Sequence, residues 1–170
     1  MGEGYGPMLV SKKEMTLEDA CSGTIAIPGV KTSAYLALSL SCGNVDVAVV
    51  PFDEIIPRIE SGEFDCGVII HEGQLTFENE DLVSCADLGV WWGEENDGLP
   101  LPLGGNVIHK RIAEAERKVV SDLLTESIQY SLDHRPEAVE HALQYARDMG
   151  TELADQFVGM YVNHWTLDYG

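Results

Sequence analysis

Two places in the sequence hold residue types that could do chemistry. His71 follows the apolar run Gly67-Val68-Ile69-Ile70 and opens the polar stretch Glu72-Gly73-Gln74-Leu75-Thr76-Phe77. If residues 66–70 form a buried strand, His71 stands at its carboxyl end, where open α/β sheets bind their ligands. An imidazole there can move protons near neutral pH, with Glu72 beside it as a modulator. It can equally cap the strand through a backbone hydrogen bond. The second place is Thr32-Ser33-Ala34, which follows the apolar run Thr24–Ile27 and the break Pro28-Gly29-Val30-Lys31. A helix that begins here presents free N–H groups, and with the Thr32 and Ser33 hydroxyls these can hold a carboxylate or another anionic oxygen. Ordinary N-capping by Thr32 or Ser33 is the plainer reading of the same residues.

Other chemistries lack their residues. A zinc-protease helix needs His-Glu-x-x-His, and Leu75 stands where the second histidine would be. There is no Gly-x-Ser-x-Gly elbow and no phosphate loop ending in Gly-Lys-Ser/Thr. His134 and His141 lie on either side of Pro136 and suggest no metal role. What survives is acid or base work by His71 next to an anion-accepting helix end, on a small carboxylated molecule.

The elements that must position these residues can be read in order. Met8-Leu9-Val10 reads as a strand preceded by alternate glycines in Gly2-Glu3-Gly4-Tyr5-Gly6-Pro7, which suggest a hinge or a close backbone approach. Thr16 fits a helix N-cap, with acids in the first turn. Thr24–Ile27, residues 45–50 and residues 66–70 read as three buried strands, and the helices between them alternate as in a parallel sheet with right-handed crossovers. Residues 82–85 suggest a further strand, and residues 87–95 a helix with one of Trp91 and Trp92 turned inward. Leu99-Pro100-Leu101-Pro102-Leu103 is stiff and extended. Gly104-Gly105 then allows either a close approach to ligand or a plain bulge. After Arg111 the pattern turns helical, with a stripe of Ile112, Ala115, Val119, Leu123 and Ile128. A second helix opens at Pro136 with Val139, Ala142, Leu143 and Ala146 on its face, and a third begins at Gly150-Thr151. The expected division is residues 1–10 as a hinge and entering strand, 11–110 as an α/β lobe carrying half a cleft, and 111–170 as a helical region.

At 170 residues with 45% hydrophobic composition the chain can bury a core of its own. Its 29 acidic and 10 basic residues give a net charge of −19, which repels phosphate backbones and anionic lipid and argues against nucleic-acid or membrane partners. Cys21, Cys42, Cys66 and Cys85 show no metal-like spacing and read as buried free thiols of a reducing cytosol. No export signal and no spanning run is present, so a cytoplasmic location is expected.

Several stretches together resemble one family. Ile27-Pro28-Gly29-Val30-Lys31-Thr32-Ser33-Ala34-Tyr35, Val68-Ile69-Ile70-His71-Glu72-Gly73-Gln74-Leu75-Thr76-Phe77, Asp87-Leu88-Gly89-Val90-Trp91-Trp92, Leu99-Pro100-Leu101-Pro102-Leu103-Gly104 and the opening Gly4-Tyr5-Gly6-Pro7 are similar, in order and spacing, to the 1,4-dihydroxy-6-naphthoate synthases of the futalosine route to menaquinone. The resemblance implies a type II periplasmic-binding-protein-like fold with a parallel-rich sheet lobe followed by C-terminal helices. It also implies a lyase that converts cyclic dehypoxanthinylfutalosine to 1,4-dihydroxy-6-naphthoate without metal or organic cofactor. His71 matches the family's catalytic base. Ser33, in the place of the usual threonine, and Ala34 match ligand contacts; with Thr32 and Gly104 they complete the expected substrate site. Members carry a first lobe ahead of the glycine-rich opening and continue past the segment matching 167–170, so the chain is expected to be a fragment. The face left by that lobe would be apolar and would favour association, a homodimer included. A solute-binding module of the same fold, holding a small carboxylate without turnover, is the alternative.

Overall fold

The computed structural model describes residues 1–71, 73–145 and 150–168. The chain divides into two compact units, Gly2–Leu103, and Gly104–Gly170 together with Met1. Expectations that fall on Glu72, Ala146 and the last two residues, Tyr169 and Gly170, lie outside the described residues.

Gly2–Leu103 is built on one sheet. Its strands are β1 (Met8–Ser11), β2 (Thr24–Ile27), β3 (Asp46–Val49), β4 (Cys66–Ile69) and β5 (Val83–Asp87), in the spatial order β3-β2-β4-β1-β5. β2 runs parallel to β3 and β4, while β1 is antiparallel to both β4 and β5. The opening segment thus supplies an interior strand bonded on both sides. Side chains alternate between the two faces, as strand geometry demands. Leu9, Ile25, Ile27 and Val68 face one buried cluster, and Val10, Ala26 and Ile69 face the other. The first is covered by α1 (Leu17–Cys21), α2 (Ser33–Cys42) and α5 (Leu88–Glu95) through Ala20, Ala34, Ala37, Leu38 and Leu88. The second is covered by α3 (Ile55–Glu60) through Ile55 and Ile59, joined by Phe77 and Leu82 from the segment after α4 (Gly73–Thr76). A Cβ on Gly67 would lie 2.7 Å from Ile55 Cγ2, so the glycine in β4 is what lets α3 lie this close to the sheet.

Local chemistry places the helix starts. Thr16 and Asp19 form a reciprocal capping box on α1, with Asp19 N–H donating to Thr16 Oγ1 (3.1 Å) and Thr16 N–H to Asp19 Oδ2 (3.2 Å). The Thr16 hydroxyl, which donates to Asp19 Oδ2 (2.7 Å), and then the Thr16 N–H hold the Asp19 carboxyl below its usual value. The alternate glycines at the N-terminus make a close approach. Gly6 and Gly89 bring two backbones together, since a Cβ on Gly89 would lie 2.1 Å from the carbonyl of Tyr5 and one on Gly6 would lie 2.6 Å from Gly89 N. Leu88 N–H donates to Pro7 O across this contact (3.0 Å), and Gly2 pairs with Leu101 in an isolated antiparallel bridge. Leu101 is buried and Leu103 packs half-buried against the same cluster, while Leu99 is exposed.

Three expectations are corrected. Residues 45–50 read as a buried strand, yet β3 is an edge strand with Val49 61% exposed, because the chain after β3 crosses over to lay β4 on the other side of β2. Cys21 and Cys42 are joined in a disulfide, with Cα atoms 5.6 Å apart, and only Cys66 and Cys85 are free thiols. The two bonded residues end α1 and α2, neighbours on one face of the sheet, and a separation of 21 residues gives no sequence sign of that proximity. Burial pushes the Cys66 thiol up to about 12.

The second unit holds α6 (Glu114–Asp133), α7 (Arg135–Leu143), α8 (Thr151–Tyr161) and α9 (His164–Leu167). Pro136 lies in the first turn of α7, and Gly150 stands at the N-cap of α8. Arg135 ties α7 to α8 by donating from Nε to Asp155 Oδ1 (2.6 Å). The third correction concerns the apolar stripe of α6, whose first half is not core-facing: Val119, Val120, Leu123 and Leu124 are exposed. Only its C-terminal part packs, with Ile128 and Leu132 lining a cavity of about 270 Å³ together with Ala138, Ala142, Val158 and Val162.

The close approach at Gly89 gives a paired test. Gly89→Ala forces the Tyr5 backbone away and should cost about 1–3 kcal/mol. Gly93→Ala, in the same helix with nothing within 4 Å of the added methyl, should gain about 0.5–1 kcal/mol. Chemical denaturation of both variants against the parent checks the opposite signs.

Candidate functional site

β2 and β4 are adjacent and parallel, yet the chain leaves them in opposite directions. After β2 it passes through α2 to β3 on one side, and after β4 it passes through α4 to β5 on the other. That divergence makes the carboxyl ends of β2 and β4 a topological switch point, the place where open α/β sheets leave a crevice. The two stretches singled out in the sequence both lie there. Thr32, Ser33 and Ala34 follow β2, and His71 follows β4.

At the end of β2, Thr32 is the N-cap of α2. Its Oγ1 accepts from Tyr35 N–H (3.1 Å) and donates to Gly29 O (2.8 Å), so the hydroxyl is committed to the helix and the turn. The Ser33 hydroxyl donates to the carbonyl of Leu103, fastening the extended Leu-Pro segment to the helix start. Ala34 is buried against the core, so only its backbone faces the edge of the sheet. What remains for a ligand is backbone. The N–H groups of Ser33 and Ala34 sit in the first turn of a ten-residue helix and have no intrahelical acceptor. Together with the helix dipole they favour an anionic oxygen.

At the end of β4, His71 takes φ +60°, in the left-handed region, and is exposed. Histidine is one of the few non-glycine residues that tolerate this region, which is populated at constrained functional turns. Its carbonyl accepts from Gln74 N–H (3.2 Å), which closes the turn into α4. The His71 ring lies against the Phe52 ring, with centroids 4.8 Å apart and planes tilted by 54°. Phe52 follows β3, the third strand whose carboxyl end reaches this edge. Nothing in the sequence analysis singles out Phe52; an aromatic residue just past a strand's carboxyl end is the signal that marks it. Gly104 is exposed and belongs to the second unit, apart from the unit that holds the other predicted residues.

Asp87, at the carboxyl end of β5, completes the edge. Its Oδ1 accepts from Gly89 N–H (2.7 Å) and Val90 N–H (3.1 Å), capping α5. Burial pushes its carboxyl above the usual value, and backbone N–H bonds from Val90, Gly89 and Gly6 partly offset this. Among the described residues no group of three or more acidic, histidine or cysteine side chains could hold a metal ion, and no helix is long and apolar enough to cross a membrane.

A mixed sheet in the order β3-β2-β4-β1-β5, with helices on both faces and one antiparallel interior strand, is a lobe of the type II periplasmic-binding-protein-like fold. A ligand-binding component of an ABC-type import system from Staphylococcus aureus shares that fold at 12% identity, with a TM-score of 0.62 over 92% of this chain and 56% of the other. Nearer likeness comes from a crystal structure of an Archaeoglobus fulgidus protein, 37% identical, with a TM-score of 0.92 over 99% of this chain and 62% of that one. The model of a family described as "Menaquinone biosynthesis" matches residues 1–170, and the chain belongs to that family. Proteins named 1,4-dihydroxy-6-naphtoate synthase from Thermus thermophilus and Streptomyces coelicolor are 34% and 30% identical to it over the whole chain. The chain spans 61% of the length of each.

The raised Asp87 carboxyl gives a pH test. Folding favours its protonated form, so the parent should lose stability relative to Asp87→Asn as pH rises through that raised value, and regain it at lower pH. Asp87→Ala, which removes the cap, should cost about 1 kcal/mol. Melting temperatures across a pH series check both, and a parent-to-Asn difference that stays flat with pH would refute the first.

Proposed function

We propose that this chain is the substrate-holding α/β lobe and C-terminal helices of a lyase that converts cyclic dehypoxanthinylfutalosine to 1,4-dihydroxy-6-naphthoate in menaquinone biosynthesis. One observation supports the reading: a histidine and a helix N-terminus follow the carboxyl ends of the adjacent parallel strands β4 and β2, in a chain similar over its whole length to part of the naphthoate synthases. His71 acts as the base whose proton abstraction begins ring cleavage. The Ser33 and Ala34 N–H groups receive the substrate's anionic oxygen, and Thr32 holds the helix start in place. No metal or organic cofactor enters the reaction as proposed, and the substrate, a small molecule, is the partner this site takes. The residues act in the cytoplasm, with residues 1–10 as the link to the opposing cleft wall. An opposing wall matters because proton abstraction gains from the exclusion of water and the clamping of substrate.

The test mixes the chain with cyclic dehypoxanthinylfutalosine and follows naphthoate by mass spectrometry. His71→Asn is the better inactive variant than alanine, because asparagine also tolerates positive φ and should leave the melting temperature within about 2 °C. Product from the parent and none from the variant supports the reading. Tight binding with the substrate recovered intact would favour a solute-binding module instead.

A further inference from the structure

Phe52 is a large apolar side chain that the core does not use. It is 41% exposed, it belongs to neither buried cluster, and it opens the 3-10 turn Phe52–Glu54 directly after Val50 and Pro51. Its neighbours in the chain behave as a helix start should: Val50 is buried, and Ile55 and Ile59 carry α3 onto the sheet. The exposed ring therefore needs a reason other than packing α3.

Geometry supplies one. β3 and β4 are not adjacent, because β2 lies between them. Their ends are two strand spacings apart, about 10 Å. The Phe52 and His71 rings nevertheless meet at a centroid distance of 4.8 Å, which bridges the gap between the two strand ends. Between the two ends lies that of β2, the strand whose continuation provides the Ser33 and Ala34 N–H groups. α2 leaves that end on the opposite face of the sheet from α3. The left-handed backbone at His71 fixes where its Cα–Cβ bond points but leaves the ring free to rotate. Among the described residues no hydrogen bond to the ring nitrogens fixes it; the contact with Phe52 does.

We propose that Phe52 is a positioning residue for His71, holding the imidazole over the carboxyl end of β2 so that it addresses a substrate bound at the α2 N-terminus. The role rests on the reading of His71 as the base. A base gains from being held in one orientation, and a misplacement of about 1 Å can cost up to about a hundredfold in rate.

Phe52→Leu keeps an apolar side chain and removes the ring, whereas Phe52→Tyr keeps the ring. Neither is a core residue, so both should melt with the parent. The first readout is the carbon-bound ring protons of His71 by NMR, assigned with His71→Asn. In the parent and in Phe52→Tyr these protons should show the upfield displacement of a neighbouring aromatic ring, and in Phe52→Leu that displacement should vanish. The second readout is turnover of cyclic dehypoxanthinylfutalosine. kcat should fall about tenfold in Phe52→Leu with KM little changed, and Phe52→Tyr should restore it. His71 resonances that do not move in Phe52→Leu would overturn the contact; moved resonances with unchanged kcat would overturn its role. Turnover that survives His71→Asn would sink the base assignment and the positioning role with it, a failure the spectra distinguish because they need no catalysis.

Discussion

β4 is hydrogen-bonded along both edges, parallel to β2 and antiparallel to β1, and all four of its residues are buried. A strand enclosed on both edges and both faces cannot carry a polar side chain without loss, since unpaired polar groups in such a place are costly. The first polar chemistry the chain can offer on this strand is therefore past its end, at His71. Gly67 belongs to the same constraint, because α3 reaches the sheet only where β4 has no side chain on that face. α3 in turn follows directly from the turn that carries Phe52. The position of the histidine and that of its aromatic neighbour are thus two consequences of one tightly packed strand.

The other side of the site obeys a different rule. The hydroxyls that would suggest a ligand set in the sequence are occupied with structure: Thr32 holds the helix start, and Ser33 holds Leu103. In the proposed reading this leaves recognition to the backbone N–H groups of Ser33 and Ala34, which are placed by the helix and cannot swing away. Such donors are preorganised and lose little freedom when an anion arrives. In the proposed reading, an imidazole held against Phe52 does the acid-base work while the fixed helix N-terminus receives the charge.

Stability at this edge comes from backbone meeting backbone. Gly6 on the entering segment and Gly89 in α5 touch without side chains between them, and Asp87 collects N–H groups from both pieces. The segment that leads into β1 is locked to the first turn of α5 before the sheet begins. In the second unit the balance is different, since α6 presents Val119, Val120, Leu123 and Leu124 to solvent while its C-terminal half packs against α7 and α8.

Local chemistry was enough to determine much of this. The apolar runs Thr24–Ile27 and 66–70 read as buried strands, Thr16 and Thr32-Ser33 as helix starts, and the alternate glycines as a hinge or a close approach. These signals are legible because they depend on a few neighbouring residues and on fixed backbone geometry. His71 and Thr32-Ser33 could be placed at strand ends for the same reason. Only the tertiary structure decided which strands lie side by side. That order turned residues 45–50 from a buried strand into an edge, brought Cys21 to Cys42, committed the Ser33 hydroxyl to Leu103 and laid Phe52 on His71. Each of these joins residues about 20 to 70 positions apart, and proximity at such separations is set by how helices pack on two faces of a sheet, which no local pattern encodes.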